Sequence, residues 1–323
     1  MDVSPVPCWR GPQVGTGTSP LEWTIGAPAF AADVFDRERR SSPWAGHRWF
    51  AYDLVTAVRP ARIVELGTHY GCSFFAMCEA VKDHGLQTEL IAVDTWQGDP
   101  HAGYYDDDVF DAFDRWRQTH YPTVRTRALR CTFDEALSKI PDDSVDLLHI
   151  DGFHSYEAVS HDYASWRPKL ADRTTVLFHD VAHDSGYESS RFWDEMCGRH
   201  GGFTFFHNFG LGVLTTEPAL AALLSSNHFA EIARYYPAQA AADLREMRIE
   251  DDGRLLQERQ ALVERQDQLI ADRDAAIAAQ AGLVDAKQAL IEQQDCLIAD
   301  RDEALAAQAR RIDELLASRS AAG

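Results

Sequence analysis

The sequence is short of basic residues. Lysine and arginine total 31 against 51 aspartates and glutamates, which leaves a formal net charge of −20 over 323 residues. Nucleic acids and anionic membrane surfaces both attract a basic surplus, so this balance argues against either partner. No apolar run approaches the roughly 20 residues of a membrane-spanning helix, and the N-terminus lacks the basic stretch and apolar core of a signal peptide.

The sequence also lacks paired cysteines. Its six cysteines are scattered, without a C-x-x-C pair or a regular series of spacings. In a chain of this length such a distribution is typical of reduced thiols, which predicts a cytoplasmic protein. Apolar residues make up 45% of the chain and aromatic residues 11%, enough for one sizeable α/β domain and additional material.

Composition divides the chain into three predicted regions. Residues 1–42 are rich in Pro, Gly, Ser and Thr and indicate a loosely ordered leader, with a short helix near AFAADVFDRERR. Residues 43–243 alternate apolar runs with amphipathic stretches. Residues 244–318 lose proline and become rich in Ala, Gln, Asp, Arg and Leu.

The middle region predicts an α/β fold. Apolar runs such as ARIVELG, ELIAVDTW, SVDLLHID and TTVLFHDV are separated by helical patterns. This alternation indicates a mostly parallel sheet covered on both faces. FTFFHNF and GVLTT, joined by a turn at Gly210, predict an antiparallel hairpin at one edge. We therefore expect a Rossmann-like, doubly wound, mostly parallel seven-stranded sheet.

The last region repeats with a period of seven residues. Apolar residues recur in this period from Ile249 to Ile312, and VERQDQLIADRDAAIAAQ (263–280) returns as IEQQDCLIADRDEALAAQ (291–308). The heptad predicts a helix of roughly 95 Å, at about 1.5 Å per residue, in a self-associating left-handed coiled coil. Because the position three residues later is polar, as at Gln266 and Arg273, a lone solvated helix or spacer is the alternative.

Glycines and acids follow the first two predicted strands. VELGTHYGCS places Gly67 and Gly71 in a strand-to-helix turn, where glycine allows a sharp turn and lets a ligand approach the helix amides. Asp94 ends the next strand, where an acid can accept hydrogen bonds from ribose hydroxyls, and Trp96 follows it. The loop lacks the third glycine of a dinucleotide fingerprint, which disfavours a dehydrogenase. A tight turn without a ligand is the alternative for this loop alone.

Four segments together carry a resemblance: VELGTHYGCS, AVDTWQGD, DLLHIDGFHSYEAV and VLFHDV. From about residue 44 to 216 the chain resembles class I S-adenosylmethionine-dependent methyltransferases. More narrowly, it resembles the branch with small-molecule and sugar O-methyltransferases of natural-product and surface-polysaccharide pathways. The resemblance implies S-adenosylmethionine as cofactor, with its aminoacid part, its ribose and its adenine at successive strand ends. The residues implied to bind it are Glu65, Gly67, Thr68, Gly71, Ser73, Asp94, Thr95, Trp96 and Thr132.

The resemblance also implies a divalent cation. Metal-dependent relatives carry an acid after strand four and an acidic or amide pair after strand five. Asp151 matches the first position, and His179 with Asp180 matches the pair, although an imidazole replaces an oxygen ligand. Oxygen ligands suit Mg²⁺, whereas imidazole favours Mn²⁺, Fe²⁺ or Zn²⁺. Catechol-type relatives carry a lysine base three residues after the first acid; His154 occupies this position and is predicted as the base, with Asp151 as the second catalytic residue.

Each of these residues also has an alternative interpretation without chemistry. Asp151 could cap the helix that starts near Ser155, and His154 could be a surface residue at that helix's N-terminus. His179 and Asp180 could form a turn. Their convergence on one crevice, beside the glycine loop, favours function. Residues expected near the acceptor are His101, Tyr104 and His183.

The sequence therefore predicts a metal-assisted O-methyltransferase that acts on a hydroxyl of a sugar, glycan or polar natural product. One alternative is a coiled-coil scaffold whose methyltransferase-like domain is weakly active or inactive. Another is a nucleotide-dependent sugar dehydratase or dehydrogenase, which the missing third glycine and the missing Tyr-x-x-x-Lys pair disfavour. The sequence names neither the acceptor nor the metal, and leaves open whether His154 or His179 is the base.

Overall fold

The computed structural model describes residues 6–7, 21–31, 42–100 and 103–320. Most of the predicted leader, including most of its short helix, lies outside the described residues. His101 also lies outside them. The chain separates into two compact units, residues 1–248 and residues 249–323. No helix within the described residues is long and apolar enough to cross a membrane.

The first unit contains the β-strands and the shorter helices. The strands are β1 (Val6–Pro7), β2 (Arg62–Leu66), β3 (Glu89–Asp94), β4 (Gly98–Asp99), β5 (Gly103–Tyr104), β6 (Arg125–Arg130), β7 (Val145–Ile150), β8 (Leu170–His179), β9 (Phe203–Phe205) and β10 (Leu211–Thr215). The helices are α1 (Arg48–Val58), α2 (Cys72–Asp83), α3 (Asp107–His120), α4 (Phe133–Leu137), α5 (Tyr156–Trp166), α6 (Ser189–His200), α7 (Pro218–Leu224), α8 (Asn227–Ile232) and α9 (Tyr235–Ser320). A short 3₁₀ helix, Pro43–His47, precedes α1.

The main sheet has the order β1-β9-β10-β8-β7-β2-β3-β6. Neighbouring strands from β6 to β8 run parallel, whereas β10 is antiparallel to β8 and to β9. The predicted mostly parallel seven-stranded sheet with an antiparallel edge is confirmed, and the two-residue β1 extends that edge by pairing Val6 with Thr204. Strands β4 and β5 form a separate small hairpin.

Both faces of the sheet are covered. In β2, Ile63 packs into a core with Phe50 of α1 and Phe74 of α2. The next residue, Val64, faces the opposite core, which includes Trp166 of α5. This alternation follows from the two-residue period of a strand, and it explains why β2 and β3 in the middle of the sheet are largely apolar.

The cysteines differ in part from the expectation of six reduced thiols. Cys197 is disulfide-bonded. Cys72, Cys78, Cys131 and Cys296 are free.

In the second unit the described residues continue α9 to Ser320. The apolar residues of the heptad stay on the surface, as Ile270 at 50% and Ile298 at 50% exposure show. A long helix is present as predicted, and the apolar residues that recur along it every seven residues are exposed in the single chain.

Candidate active site

A cleft opens at the carboxyl ends of the central parallel strands. From β2 the chain winds through β3 to β6 on one side and then through β7 to β8 on the other. The loops after β2 and β7 therefore diverge, and this switch in winding is where open α/β sheets bind ligands. The cavity measures about 670 Å³. Its wall includes Gly67, Thr68, Ser73, Asp94, Thr95, Thr132, Asp151, His154, His179 and Asp180, ten of the predicted site residues.

The glycine loop packs tightly against the loop after β7. Gly67 has φ +87°, and a Cβ atom there would lie 2.0 Å from the backbone oxygen of Asp151. Gly71 caps the N-terminus of α2 with φ +83°, and its Cβ would meet the rings of Phe75 and Phe113. Both positions thus need glycine for backbone conformation and for space.

Asp94 is fixed by three backbone amides. One carboxylate oxygen accepts from the amides of Thr68 and His69, at 2.8 and 2.9 Å, and the other accepts from Trp96 at 2.7 Å. Asp94 lines the cleft, and these amides occupy three of the roughly four acceptor positions of its carboxylate, so about one remains for a further donor. At the rim of the glycine loop this position fits one hydrogen bond from a ribose hydroxyl.

Glu65 and Trp96 support the cleft wall from behind. Glu65 is fully buried, and accepts from the Ser73 hydroxyl and from Nδ1 of His149 at 3.0 Å. Nδ1 is the donor because Nε2 of His149 accepts from the indole of Trp44 at 2.9 Å. Burial raises the pKa of Glu65, against the lowering effect of the His149 hydrogen bond.

Trp96 is likewise fully buried and does not line the cleft. Its indole donates to the carbonyl of His69 at 2.8 Å, and its ring packs against Phe110 and Phe113. The side chain therefore fixes the glycine loop from below, which differs from the predicted position on the cofactor wall.

Two carboxylates and two imidazoles meet at the ends of β7 and β8. Nδ1 of His179 lies 3.2 Å from a carboxylate oxygen of Asp151 and 3.2 Å from one of Asp180. Nδ1 of His154 lies 3.2 Å from the same Asp180 oxygen. One ligand atom from each of Asp151, His154 and Asp180 lies within 4.8 Å of the others. The Asp151 and Asp180 carboxylates of this cluster fit a divalent cation, and His154 lies beside them where the prediction had His179 as the third ligand.

The two histidines differ in access. The His154 side chain is 15% exposed on the cleft wall, whereas that of His179 is 3% exposed. Burial alone lowers the pKa of His179, but the Asp151 and Asp180 carboxylates raise it to about 10. Burial acts to raise the pKa of Asp151, and His179 holds it below its usual range. The protonated His179 therefore offsets the charge of the two acids from behind.

Helix α5 has its own N-cap. The Ser155 side chain accepts from the amide of Ala158 at 3.2 Å. The alternative interpretation of Asp151 as this cap is therefore wrong, and its carboxylate instead faces His179. Thr132 caps α4 in a capping box with Glu135, so its backbone is fixed where it lines the cleft.

Two predicted acceptor residues lie away from the cleft. Tyr104 is 78% exposed in β5, and the His183 side chain is 66% exposed beside Asp194. His101 is outside the described residues. Neither Tyr104 nor His183 belongs to the cleft wall.

Sequence reasoning missed several residues of the wall, among them Tyr105 and Phe209. Tyr187 and Phe209 stack with ring centroids 6.2 Å apart, and Tyr187 also contacts His154. Phe209 has φ +65°, which costs a non-glycine residue on the order of 1–3 kcal/mol. The cleft residues His69 and Asp180 also have positive φ, at 51° and 61°. No pattern in the sequence marks these conformations.

Comparison with known proteins supports one class of chemistry. Residues 64–181 match the family model described as a methyltransferase domain. The uncharacterized protein y4gI of Sinorhizobium fredii is 47% identical over 175 residues, which are 54% of this chain and 19% of that protein. The chain thus spans about a fifth of the length of this relative.

Solved structures of low sequence identity are similar to part of this chain. The O-methyltransferase NovP is 19% identical with a TM-score of 0.41, over 54% of this chain and 78% of NovP. The O-methyltransferase TomG of Streptomyces achromogenes is 14% identical with a TM-score of 0.38, over 56% of this chain and 90% of TomG. The match over residues 64–181, together with the glycine loop and Asp94, supports S-adenosylmethionine-dependent methylation by the α/β domain.

Proposed function

We propose that the α/β domain, residues 43–243, is a divalent-metal-assisted O-methyltransferase that methylates a hydroxyl of a sugar, glycan or polar natural product. The observation that carries this proposal is the pair of carboxylates of Asp151 and Asp180, which lie within 4.8 Å of each other and of a ring nitrogen of His154. The cluster shares one cleft with the glycine loop and Asp94. A nucleotide-binding turn and a cation site in one cavity fit an enzyme that aligns a hydroxyl with S-adenosylmethionine.

The cofactor end of the cleft fits S-adenosylmethionine by shape and charge. Gly67 allows the glycine loop to pack against the Asp151 backbone at the cleft, and Asp94 on the same wall keeps about one acceptor position for the ribose. Thr132 and Phe133 line the wall at the predicted adenine position. When bound, S-adenosylmethionine supplies an electrophilic methyl group on its sulfonium.

The acceptor end has the residues to hold a cation and a proton. Asp151 and Asp180 would hold Mg²⁺ or Mn²⁺, which lowers the pKa of a coordinated hydroxyl. His154 lines the cleft and would accept the proton of the acceptor hydroxyl. That oxygen would take the methyl group of bound S-adenosylmethionine, whose sulfur would keep the electron pair of the carbon–sulfur bond. His179, buried behind the acids, keeps their carboxylates in place.

Binding measurements test this proposal without knowledge of the acceptor. Calorimetry of the full chain should show S-adenosylmethionine binding, and Mn²⁺ titration followed by electron paramagnetic resonance should show a bound ion. Asp151→Asn should lose Mn²⁺ binding and keep cofactor affinity within about threefold; the exposed Asp172→Asn should keep both. A chain that binds no S-adenosylmethionine would overturn the methyltransferase, and Mn²⁺ binding retained in Asp151→Asn would overturn only the metal site.

We further propose that residues 244–318 self-associate as a coiled coil. The supporting observation is the exposure of the heptad residues along α9, about half of each side chain or more. Sedimentation equilibrium of the full chain should give a multiple of 36.2 kDa. Ile270→Asp combined with Ile298→Asp should reduce that mass, and Ala271→Asp with Ala299→Asp on the neighbouring face should not. A full-length monomer would favour the solvated spacer.

A further inference from the structure

The exposed apolar face of α9 has a polar column along its centre. In each heptad, position a is the apolar residue that recurs from Ile249 to Ile312, and position g, the residue before it, is most often leucine. The apolar side chains of both positions are exposed. Position d, three residues after a, lies between these two columns, because three residues turn an α-helix by about 300°. A partner that covers the apolar columns therefore also covers position d.

Position d alternates between a basic residue and glutamine along successive heptads. The residues are Arg259, Gln266, Arg273, Gln280, Lys287, Gln294, Arg301 and Gln308. All of these side chains carry hydrogen-bond donors. In both repeats the next position, e, holds an aspartate after glutamine and again after arginine. These are Asp267, Asp274, Asp295 and Asp302. Each of these heptads thus presents a donor at d and a carboxylate acceptor at e.

The arginines and aspartates of this face interact only weakly within one helix. Arg273 lies 3.9 Å from its neighbour Asp274, and Arg301 lies 3.8 Å from Asp302. The four side chains are 63–72% exposed. Exposed pairs of this kind contribute little to stability. Each guanidinium also has several N–H groups, so it can bind a second carboxylate from another helix.

We propose that a second copy of the chain covers this face with α9 parallel and in register, so that donors at position d bind the aspartates at position e of the partner. The inference rests on the proposed self-association of residues 244–318, and it adds the orientation and register. In a parallel coiled coil a side chain at d inserts between residues of the facing helix that include its d and e positions. Arg273 then reaches Asp274 of the partner subunit, and Arg301 reaches Asp302 of the partner subunit.

An antiparallel pair brings like charges together. When the two repeats face each other in opposite directions, position e faces position e, and Asp274 meets Asp295 of the partner subunit. Like charges in contact across an interface are unfavourable. The parallel arrangement instead places a donor opposite each of these acids.

A parallel pair shifted by one repeat satisfies fewer contacts. Such a shift aligns residues 263–280 of one chain with 291–308 of the other, and it leaves one repeat of each chain without a partner. In-register pairing covers both repeats. Polar residues at core positions of coiled coils fix register in this way, at a cost in stability.

A single introduced cysteine tests orientation and register. Cysteines can form a disulfide when their Cα atoms lie about 4.4–6.8 Å apart. Position 270 faces its own copy in the in-register parallel pair. In the other two arrangements its copies lie roughly 42 Å or more apart, at about 1.5 Å per residue.

We expect full-length Ile270→Cys to form a disulfide-linked dimer on copper-catalysed air oxidation, seen on a non-reducing gel. The chain also carries Cys296→Ser, which removes the exposed native thiol of α9. Ala275→Cys in the same background is the matched control, because position f points away from the apolar face, and it should cross-link far less.

Charge reversal tests the pairs between subunits. Arg273→Glu with Arg301→Glu places acids opposite the aspartates of the partner, and should weaken self-association in sedimentation by about tenfold or more at low salt. Addition of Asp274→Arg and Asp302→Arg reverses each pair and should restore association. Arg265→Glu at the outward position c is the control for a lost cation, and should leave the sedimenting mass unchanged.

The outcomes separate this inference from the proposed self-association. A full chain that sediments as a monomer defeats self-association itself. An oligomer in which Ile270→Cys cross-links no better than Ala275→Cys would overturn the parallel, in-register arrangement. An oligomer whose mass is insensitive to the two arginine reversals would overturn the pairing of d with e.

Discussion

His154 and His179 approach the same carboxylate oxygen of Asp180, each with its Nδ1 atom at 3.2 Å. They differ in access, because the His154 side chain is 15% exposed and that of His179, at the end of β8, is 3% exposed. One acid thus links a more accessible imidazole to a nearly buried one. In the proposed reaction His154 takes the proton and His179 compensates charge, and these two roles predict different consequences of substitution.

Replacement of His154 should impair turnover and spare binding. We expect His154→Gln to lower kcat for S-adenosylhomocysteine formation with a hydroxyl acceptor by about 100-fold or more, the usual contribution of a general base. Affinities for S-adenosylmethionine and Mn²⁺ should stay within about threefold, because Asp151 and Asp180 remain. His161→Gln is the matched control, since His161 is an exposed histidine paired with Asp134. A large loss of Mn²⁺ affinity in His154→Gln would instead make His154 a metal ligand.

Replacement of His179 should destabilise the metal-free protein most. Its Nδ1 lies 3.2 Å from both acids, so His179→Gln leaves two neighbouring carboxylates without their positive partner. Uncompensated buried charge costs on the order of 3–5 kcal/mol. We expect the melting temperature of His179→Gln to fall in chelator and to recover in part with Mn²⁺. An equal fall in both conditions would show that a cation does not replace the imidazole charge.

Gly67 should be essential for cofactor binding. An alanine there would adopt a left-handed conformation that costs about 1–2 kcal/mol, and its Cβ would collide with the Asp151 carbonyl at 2.0 Å. Calorimetry should show S-adenosylmethionine affinity reduced more than tenfold in Gly67→Ala. Gly198→Ala in α6, where a Cβ meets nothing within 4 Å, should leave affinity unchanged. Wild-type affinity in Gly67→Ala would mean that the loop does not approach the cofactor.

The stability of the N-terminal end of α9 should depend on the buried hydroxyl of Tyr236. Tyr236 donates to Asp53 at 2.7 Å and accepts from the Trp23 indole at 2.8 Å. Tyr236→Phe leaves the Trp23 indole without this acceptor and Asp53 with the Gly26 amide alone, which costs about 1–3 kcal/mol in urea unfolding. Tyr235→Phe removes a neighbouring hydroxyl for which the described residues show no hydrogen bond, and should cost less than about 0.5 kcal/mol. Equal losses in the two variants would contradict the role of this hydroxyl.

The fold and the location of the site follow from local sequence patterns. Apolar strands and helical periods indicate the sheet, and parallel strands place Gly67, Asp94, Asp151 and Asp180 at one edge. Predicting the location of the site requires only the order and direction of the strands. Predicting the hydrogen-bond partners of each side chain requires the tertiary structure, because the hydrogen bonds from Trp44 to His149 and from His149 to Glu65 join residues far apart in sequence. The imidazole of His149 in an otherwise apolar strand is the signal that could have indicated it.

Sequence patterns also do not show which of two adjacent residues faces the cleft. The β4–β5 hairpin pairs Gly98 with Tyr104, which leaves Tyr104 exposed and brings Tyr105 to the cleft. Adjacent residues of a strand face opposite sides, so the choice between two neighbouring tyrosines depends on the register of a two-residue pairing. The roles of His154 and His179 depend likewise on side-chain direction, which the spacing of the residues does not fix.

Asp162 should make stability fall with rising pH. It is buried on α5, and burial raises its pKa to about 7, with His161 acting in the opposite direction. An acid whose folded-state pKa is raised stabilises the fold fully below its unfolded value of about 3.9, and this contribution is lost as the pH rises through 7. At about 1.4 kcal/mol per pKa unit the loss reaches up to about 4 kcal/mol. Asp162→Asn should therefore flatten the decrease in free energy of unfolding between pH 4.5 and pH 8, measured by urea.

The exposed Asp172→Asn is the control for this titration, because removal of a solvated acid should leave the pH dependence parallel to that of the wild type. The position of Asp162 connects this pH dependence to the candidate site. Its carboxylate lies 3.4 Å from where a Cβ of Gly152 would be, directly behind the loop that carries Asp151 and His154. Ionisation of Asp162 above pH 7 adds a buried negative charge next to this loop. Parallel curves for wild type and Asp162→Asn would show that water reaches the carboxylate and that its charge is solvated in the folded protein.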